Sequence, residues 1–168
     1  MRVGKGNRAV NINVGIADMK TSDDPDVTLI TNSLGSCIGV AVYDPAAKVG
    51  GMLHYMLPDS GLDTRKAEER PLMFADTGIP LLFKECYKLG AEKKRMLVKI
   101  AGASRIMDAS DRFNIGKRNY AALRKIFWRN HVMIDAENVG GTSNRTMWLD
   151  IATGKLVLKV SGKGETTL

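Results

Sequence analysis

The stretch Thr31-Asn32-Ser33-Leu34-Gly35-Ser36-Cys37-Ile38-Gly39-Val40-Ala41-Val42-Tyr43-Asp44-Pro45-Ala46-Ala47-Lys48-Val49-Gly50-Gly51-Met52-Leu53-His54 decides how the chain is read. Residues 38–43 read as a strand. Asp44-Pro45-Ala46-Ala47 is a good four-residue turn, with Asp first and Pro second. Residues 48–56 form the returning strand. A turn over 44–47 predicts that Asp44 faces Ala47, so that Gly39 faces Met52 and Cys37 faces His54. Directly opposed side chains on one face have Cβ atoms about 4.5–5.5 Å apart, within reach of a thiol–imidazole hydrogen bond. The other face would carry Ile38, Val40, Val42, Val49, Gly51 and Leu53, an apolar set suited to a core. Gly39, Ala41 and Gly50 keep the Cys37 face shallow, leaving room for a substrate or a packed helix. A slip of one residue would separate the cysteine and the histidine onto opposite faces.

The chemistry follows from those side chains. A thiolate is a strong nucleophile, and a neighbouring imidazole is expected to lower the thiol pKa and take its proton. The ring needs a third group on its other nitrogen. Thr31, at the end of the preceding strand, has a hydroxyl that could accept there. Backbone N–H groups around Ser36 and Cys37, after the Gly35 turn, are candidates to hold an oxyanion. Against this stands the ordinary role of a cysteine beside an apolar strand, a small buried hydrophobe.

Outward from this stretch, residues 10–17 alternate apolar with polar or small residues and predict a strand. Residues 21–26 form a turn cluster, and 27–31 a second strand ended by 32–36. Residues 57–71 read as a polar loop of the length often used for binding loops and lids. A helix is expected within 72–89, with Leu82, Cys86 and Leu89 on its inner stripe and Gly90 as its stop; Cys86 is therefore assigned to the core. Residues 96–101 suggest a central strand, 102–112 an irregular segment, and 132–135 another strand. Asn114 is placed as the cap of a helix over 115–130. Its inner stripe is Ala122, Leu123, Ile126 and Phe127, and its outer face, with Lys117, Arg118, Arg124, Lys125 and Arg129, is basic. His131 is placed at that helix's end, capping or solvated. Residues 147–160 predict a hairpin about Thr153-Gly154, pairing Met147 with Val160, Leu149 with Leu158 and Ile151 with Leu156. The expected fold is a single α/β domain of α+β type over residues 1–168, a mixed β-sheet core with packed helices.

The 168 residues carry 25 Lys and Arg against 18 Asp and Glu, a net charge of +7. The excess is uneven: residues 1–83 sum to −2 and residues 84–168 to +9, which suits an acidic partner or simply a solvated basic face. Aromatics are only 6% of residues and no nucleic-acid-binding motif is present, so nucleic acid is not an expected partner. No apolar run is long enough to span a membrane, and no secretory leader is evident at the basic N-terminus. Two cysteines are too few for a disulfide scaffold, which favours a reducing, cytoplasmic setting. Cysteine and histidine spacing suggests no metal site, and no cofactor is expected.

Several blocks resemble the CheD family of bacterial chemotaxis enzymes. They are Thr31 and Cys37 within Leu34-Gly35-Ser36-Cys37, Tyr43-Asp44-Pro45, Lys48-Val49-Gly50-Gly51-Met52, and His54 followed by Leu57-Pro58. Val14-Gly15-Ile16-Ala17-Asp18-Met19-Lys20, Lys99-Ile100-Ala101-Gly102-Ala103, Ile115-Gly116-Lys117-Arg118-Asn119, and Gly140-Gly141 with Arg145 extend the likeness over most of the chain. The resemblance implies deamidation of chemoreceptor glutamines by a Cys-His-Thr triad, carried onto Cys37, His54 and Thr31. It also implies a fold similar to bacterial toxin cysteine deamidases, chemoreceptor cytoplasmic domains as partners, and a CheC-like phosphatase as a regulatory one. Hydrolysis of receptor glutamate methyl esters would follow the same route. A non-catalytic chemotaxis adaptor is the alternative. Ala101 and Ala103 stand where the family usually has Phe and a second Gly.

Overall fold

The computed structural model describes residues 9–106 and 113–168; the part of the irregular segment from 107 to 112 lies outside the described residues. Among the described residues, ten strands form two five-stranded sheets. The first contains β1 (Val10–Asn13), β3 (Val27–Leu34), β8 (Arg145–Asp150), β9 (Leu156–Val160) and β10 (Gly164–Thr167), in that spatial order. The second contains, in order, β2 (Asp18–Ser22), β5 (Val49–Tyr55), β4 (Ile38–Asp44), β6 (Leu97–Gly102) and β7 (Ala136–Val139). Each sheet mixes one parallel pairing, β1 with β3 or β6 with β7, into an antiparallel frame. The helices are α1 (Thr64–Glu69), α2 (Ala75–Lys88) and α3 (Ile115–Arg129). The α+β expectation holds, with two mixed sheets rather than one.

Every residue of β4 and β5 is buried, because both faces of this central pair are covered. One face presents Ile38, Val40, Val42, Val49, Leu53 and Tyr55 to Ile79, Leu82, Phe83 and Cys86 of α2 and Leu123 and Phe127 of α3. The other presents Ala41 and Met52 to Leu29, Leu34, Met147, Leu149 and Ile151 around the first sheet. The shallow face expected to admit a substrate or helix is thus filled by a second sheet. A Cβ on Gly39 would lie 2.5 Å from Met147 Sδ, and one on Gly50 would lie 2.5 Å from Ile151 Cδ1. Small residues let the two sheets approach closely.

Both expected hairpins form, and both are displaced by two residues. In β4–β5 Asp44 pairs with Val49 and Gly39 with His54; in β8–β9 Leu149 pairs with Leu156 and Met147 with Leu158. The reason is the same in each: the loop holds four residues, the last in the left-handed region, Lys48 at φ 54° and Gly154 at φ 75°. Asp44 Oδ1 accepts from the N–H groups of Ala46 and Ala47, which sets the first loop. Because the displacement is even, each side chain keeps its face.

Other boundaries move. Residues 10–17 supply only a four-residue strand, and β2 takes up part of the expected turn cluster. The expected 57–71 loop is ordered by short helical turns. Asp63 caps α1 by accepting from Lys66 N–H, Ser60 is held by Asp76, and Leu57 bridges to Phe74. Leu89 lies at the end of α2 and is exposed, while Ile79 takes its place on the inner stripe. The strand expected at 132–135 forms at Ala136–Val139 instead. Asn114 precedes α3 in a left-handed conformation and makes no side-chain cap. Among the described residues, no helix is long and apolar enough to cross a membrane.

Candidate active site

Thr31 and His54 come from different sheets and meet between them. Thr31 lies on β3, next to a one-residue bulge: it pairs with Met147, whereas Leu34 pairs with Arg145. Ser33, at φ 58°, absorbs the extra residue. The bulge lets Thr31 and Leu34 both point inward although three positions apart, which unbroken alternation forbids. His54 is the penultimate residue of β5, and both side chains are fully buried.

The Thr31 Oγ1–His54 Nδ1 separation is 2.8 Å. Thr31 Oγ1 also donates to the Val14 carbonyl at 2.8 Å. A hydroxyl has one proton, and the Val14 carbonyl can only accept. Thr31 therefore accepts from His54, which places the imidazole proton on Nδ1 and leaves a lone pair on Nε2. That Nε2 is buried and has no hydrogen-bond partner. Burial pushes the His54 pKa down to about 4, so the ring is neutral near pH 7.

Cys37 is half-buried and lies between Gly35-Ser36 and the start of β4. In register it is two positions beyond the residue opposite His54, not directly across from it. Burial pushes its thiol up to about 11, only partly opposed by its own backbone N–H. This corrects the expectation of a thiol acidified by the imidazole. No hydrogen bond joins Sγ to Nε2, and in the free protein the two groups rest as a neutral thiol and a neutral imidazole.

Three consecutive carbonyls of the cysteine loop are held from outside it. Gly35 O accepts from Ser104 N–H at 2.8 Å, and Cys37 O from Ala103 N–H at 2.9 Å. Between them, Ser36 O accepts from Asn119 Nδ2 at 2.9 Å. A trans peptide points its N–H opposite to its C=O. Fixing the carbonyls of Gly35 and Ser36 therefore turns the N–H groups of Ser36 and Cys37 the other way. Among the described residues, neither bonds to another residue's backbone or side chain.

The bracing strand end is itself braced. Arg145 is buried with no carboxylate partner among the described residues. It donates to Asn138 Oδ1, Gly102 O, Ser104 Oγ, Ser143 O and Gly140 O. Ala103 takes a left-handed conformation, φ 54°, at a position where a glycine would be unstrained. Arg145 and Asn119 were visible in the sequence only as parts of longer blocks; nothing in their spacing indicated what they hold.

A family model described as CheD, chemotactic sensory transduction, matches residues 56–160. The chain is 56% identical over 149 residues to a probable chemoreceptor glutamine deamidase CheD 1 of Syntrophus aciditrophicus (strain SB), covering 89% of this chain and 93% of the relative. The chain belongs to the CheD family. A second CheD relative, the probable chemoreceptor glutamine deamidase of Solibacter usitatus (strain Ellin6076), is 49% identical over 150 residues, 89% of either chain. Spans of that length within 168 residues necessarily take in Thr31, Cys37 and His54, which precede the family-model match. Among solved structures, Bacillus licheniformis hypothetical protein YfiH superposes on 72% of this CheD-family chain and 49% of its own length, at TM-score 0.43 and 12% identity.

Proposed function

We propose that this chain hydrolyses the side-chain amide of chemoreceptor glutamines, with Cys37 as nucleophile, His54 as general base and acid, and Thr31 as the group that orients His54. Family membership supports the reaction. The single observation that carries the mechanism is the Thr31–His54 hydrogen bond, which leaves the His54 Nε2 lone pair buried and unpartnered.

The Cys37 sulfur attacks the carboxamide carbon as its proton passes to Nε2; the neutral resting pair makes transfer and attack parts of one event. The imidazolium keeps its Nδ1–H on Thr31, a weaker stabiliser than a carboxylate. The oxyanion is received by the N–H groups of Ser36 and Cys37. His54 then returns its proton to the departing nitrogen, ammonia leaves, and a thioester remains. Water, deprotonated by Nε2, attacks the thioester and releases glutamate, and Cys37 recovers its proton. A glutamate methyl ester would follow the same path with methanol as leaving group. The basic second half, +9 over residues 84–168, suits an acidic helical partner in the cytoplasm, and a CheC-like phosphatase belongs to this proposal as a regulatory partner.

The test is incubation with a chemoreceptor cytoplasmic fragment and peptide mass analysis. The expected result is a gain of about one mass unit per modified glutamine, with ammonia released. Unchanged substrate, or modification that persists with Cys37→Ala, overturns the mechanism.

A further inference from the structure

We infer that Asn119 is a positioning residue that fixes the nucleophile loop against the histidine strand. Asn119 lies in α3, is fully buried, and uses both Nδ2 protons on carbonyls from two different segments. One is Ser36 O at 2.9 Å, immediately before Cys37; the other is Met56 O at 2.8 Å, two residues after His54. The orientation of the amide is set by chemistry: the reverse would aim Oδ1 at two carbonyl oxygens. Its Oδ1 has no partner, a desolvation penalty that an apolar core residue would avoid.

The helix is tied to the same place a second time. Tyr55, next to His54, donates its hydroxyl to the Asn119 carbonyl at 2.8 Å. Gly116, one turn earlier, lies so close to residues 103 and 104 that a Cβ would meet Ser104 O at 2.5 Å and Ala103 O at 2.8 Å. Those two residues supply the N–H groups that hold Gly35 O and Cys37 O. The first turns of α3 therefore seat Asn119 between the cysteine loop and the end of β5. No hydrogen bond joins Cys37 to His54 directly; the β4–β5 ladder pairs the residues after Cys37 with His54 and Tyr55, and the Asn119 side chain adds the tie from the loop residue before Cys37 to the end of that strand. It also sets the direction of the Ser36–Cys37 peptide plane, and with it the Cys37 N–H.

This inference rests on Cys37 as the nucleophile, and its test separates the two. Asn119→Ala and Cys37→Ala are assayed side by side on a chemoreceptor cytoplasmic fragment, and iodoacetamide labelling of Cys37 and Cys86 is followed without substrate. Positioning predicts that Asn119→Ala lowers kcat about 10- to 100-fold, with KM changed less than about threefold. Cys37 should still be alkylated, since alkylation needs no oxyanion site, and Cys86 should stay protected as in the parent. A kcat within about threefold of the parent overturns the positioning role. So does a lower kcat accompanied by Cys86 labelling, which marks general loosening. If Asn119→Ala does not fold, Asn119→Ser, with one donor left, decides by the same split between kcat and Cys86 protection. If Cys37→Ala remains active, the nucleophile assignment fails whatever Asn119 does.

Discussion

The two cysteines share a chemistry and differ in everything that would let them use it. Cys86 lies on the inner stripe of α2, fully buried, 2.8 Å from where a Cβ on Gly51 would sit. Burial, with a smaller contribution from Glu85, pushes its thiol up to about 12. Cys37 is pushed up to about 11 by burial as well. A raised thiol pKa therefore does not distinguish them. What does is the company: the loop N–H groups of Ser36 and Cys37 bond to no other residue among the described residues, a buried imidazole with an open Nε2 lies on the adjoining strand, and Cys37 is partly exposed to solvent. Cys86 lies within the apolar cluster between α2 and the second sheet. On the proposed mechanism, Cys37 differs from Cys86 in its surroundings rather than in its acidity at rest.

The comparison breaks most directly by exchange of sulfur for something inert. Cys37→Ala should lower turnover by more than about a thousandfold. Cys86→Ser should leave kcat per folded molecule within about twofold while lowering stability by about 1–3 kcal/mol, because a hydroxyl enters an apolar site. Denaturant titration beside a steady-state assay reads both. Thr31→Val comes next: it removes the acceptor for His54 Nδ1–H and strands the Val14 carbonyl. A loss on the order of 10²-fold in kcat is expected, with the tautomer change visible in imidazole nitrogen shifts.

Acid sharpens the comparison further. The folded pKa of His54 is depressed to about 4 from an ordinary 6.5. The unfolded chain therefore binds the extra proton first, and the stability held by neutral His54 is complete above about pH 6.5 and declines as pH falls from there toward about 4. Melting temperature followed from pH 7 to 4 should fall more steeply for the parent than for His54→Gln. A parent curve no steeper than the variant would remove the buried neutral imidazole from the account. The smallest effect is expected at Ala103, whose left-handed conformation holds the Cys37 carbonyl. Ala103→Gly should raise stability by about 0.5–1 kcal/mol without changing kcat.

Much of this site was legible in the sequence, and the illegible part has a physical cause. The face occupied by each residue of residues 38–54 follows from alternation alone, and alternation survives an even displacement. The directly opposed partner does not survive it. Gly39, not Cys37, sits across from His54, because Asp44 holds two loop N–H groups and Lys48 adopts a left-handed conformation. Thr31 was expected at the end of the preceding strand, and it lies there; that it reaches His54 from another sheet, through a bulge at Ser33, is something a strand-breaking Asn-Ser pair only hints at. The covering sheet was not legible at all. β3 pairs with β8, more than a hundred residues away, and such pairing leaves no local periodic signal. Asn119 was hidden for a similar reason, since its partners Ser36 and Met56 come from two segments more than sixty residues before it in the chain.

The central claim is that Cys37 becomes acylated by the glutamine side chain while His54 Nε2 carries the proton. Rapid acid quench of the enzyme during turnover of a glutamine-bearing chemoreceptor fragment, followed by peptide mass analysis, tests it most directly. The account predicts an adduct on the Cys37 peptide equal in mass to the substrate less one ammonia, absent from the Cys86 peptide and abolished in Cys37→Ala. Steady release of ammonia with no adduct at Cys37, and with Cys37→Ala still turning over, would contradict it.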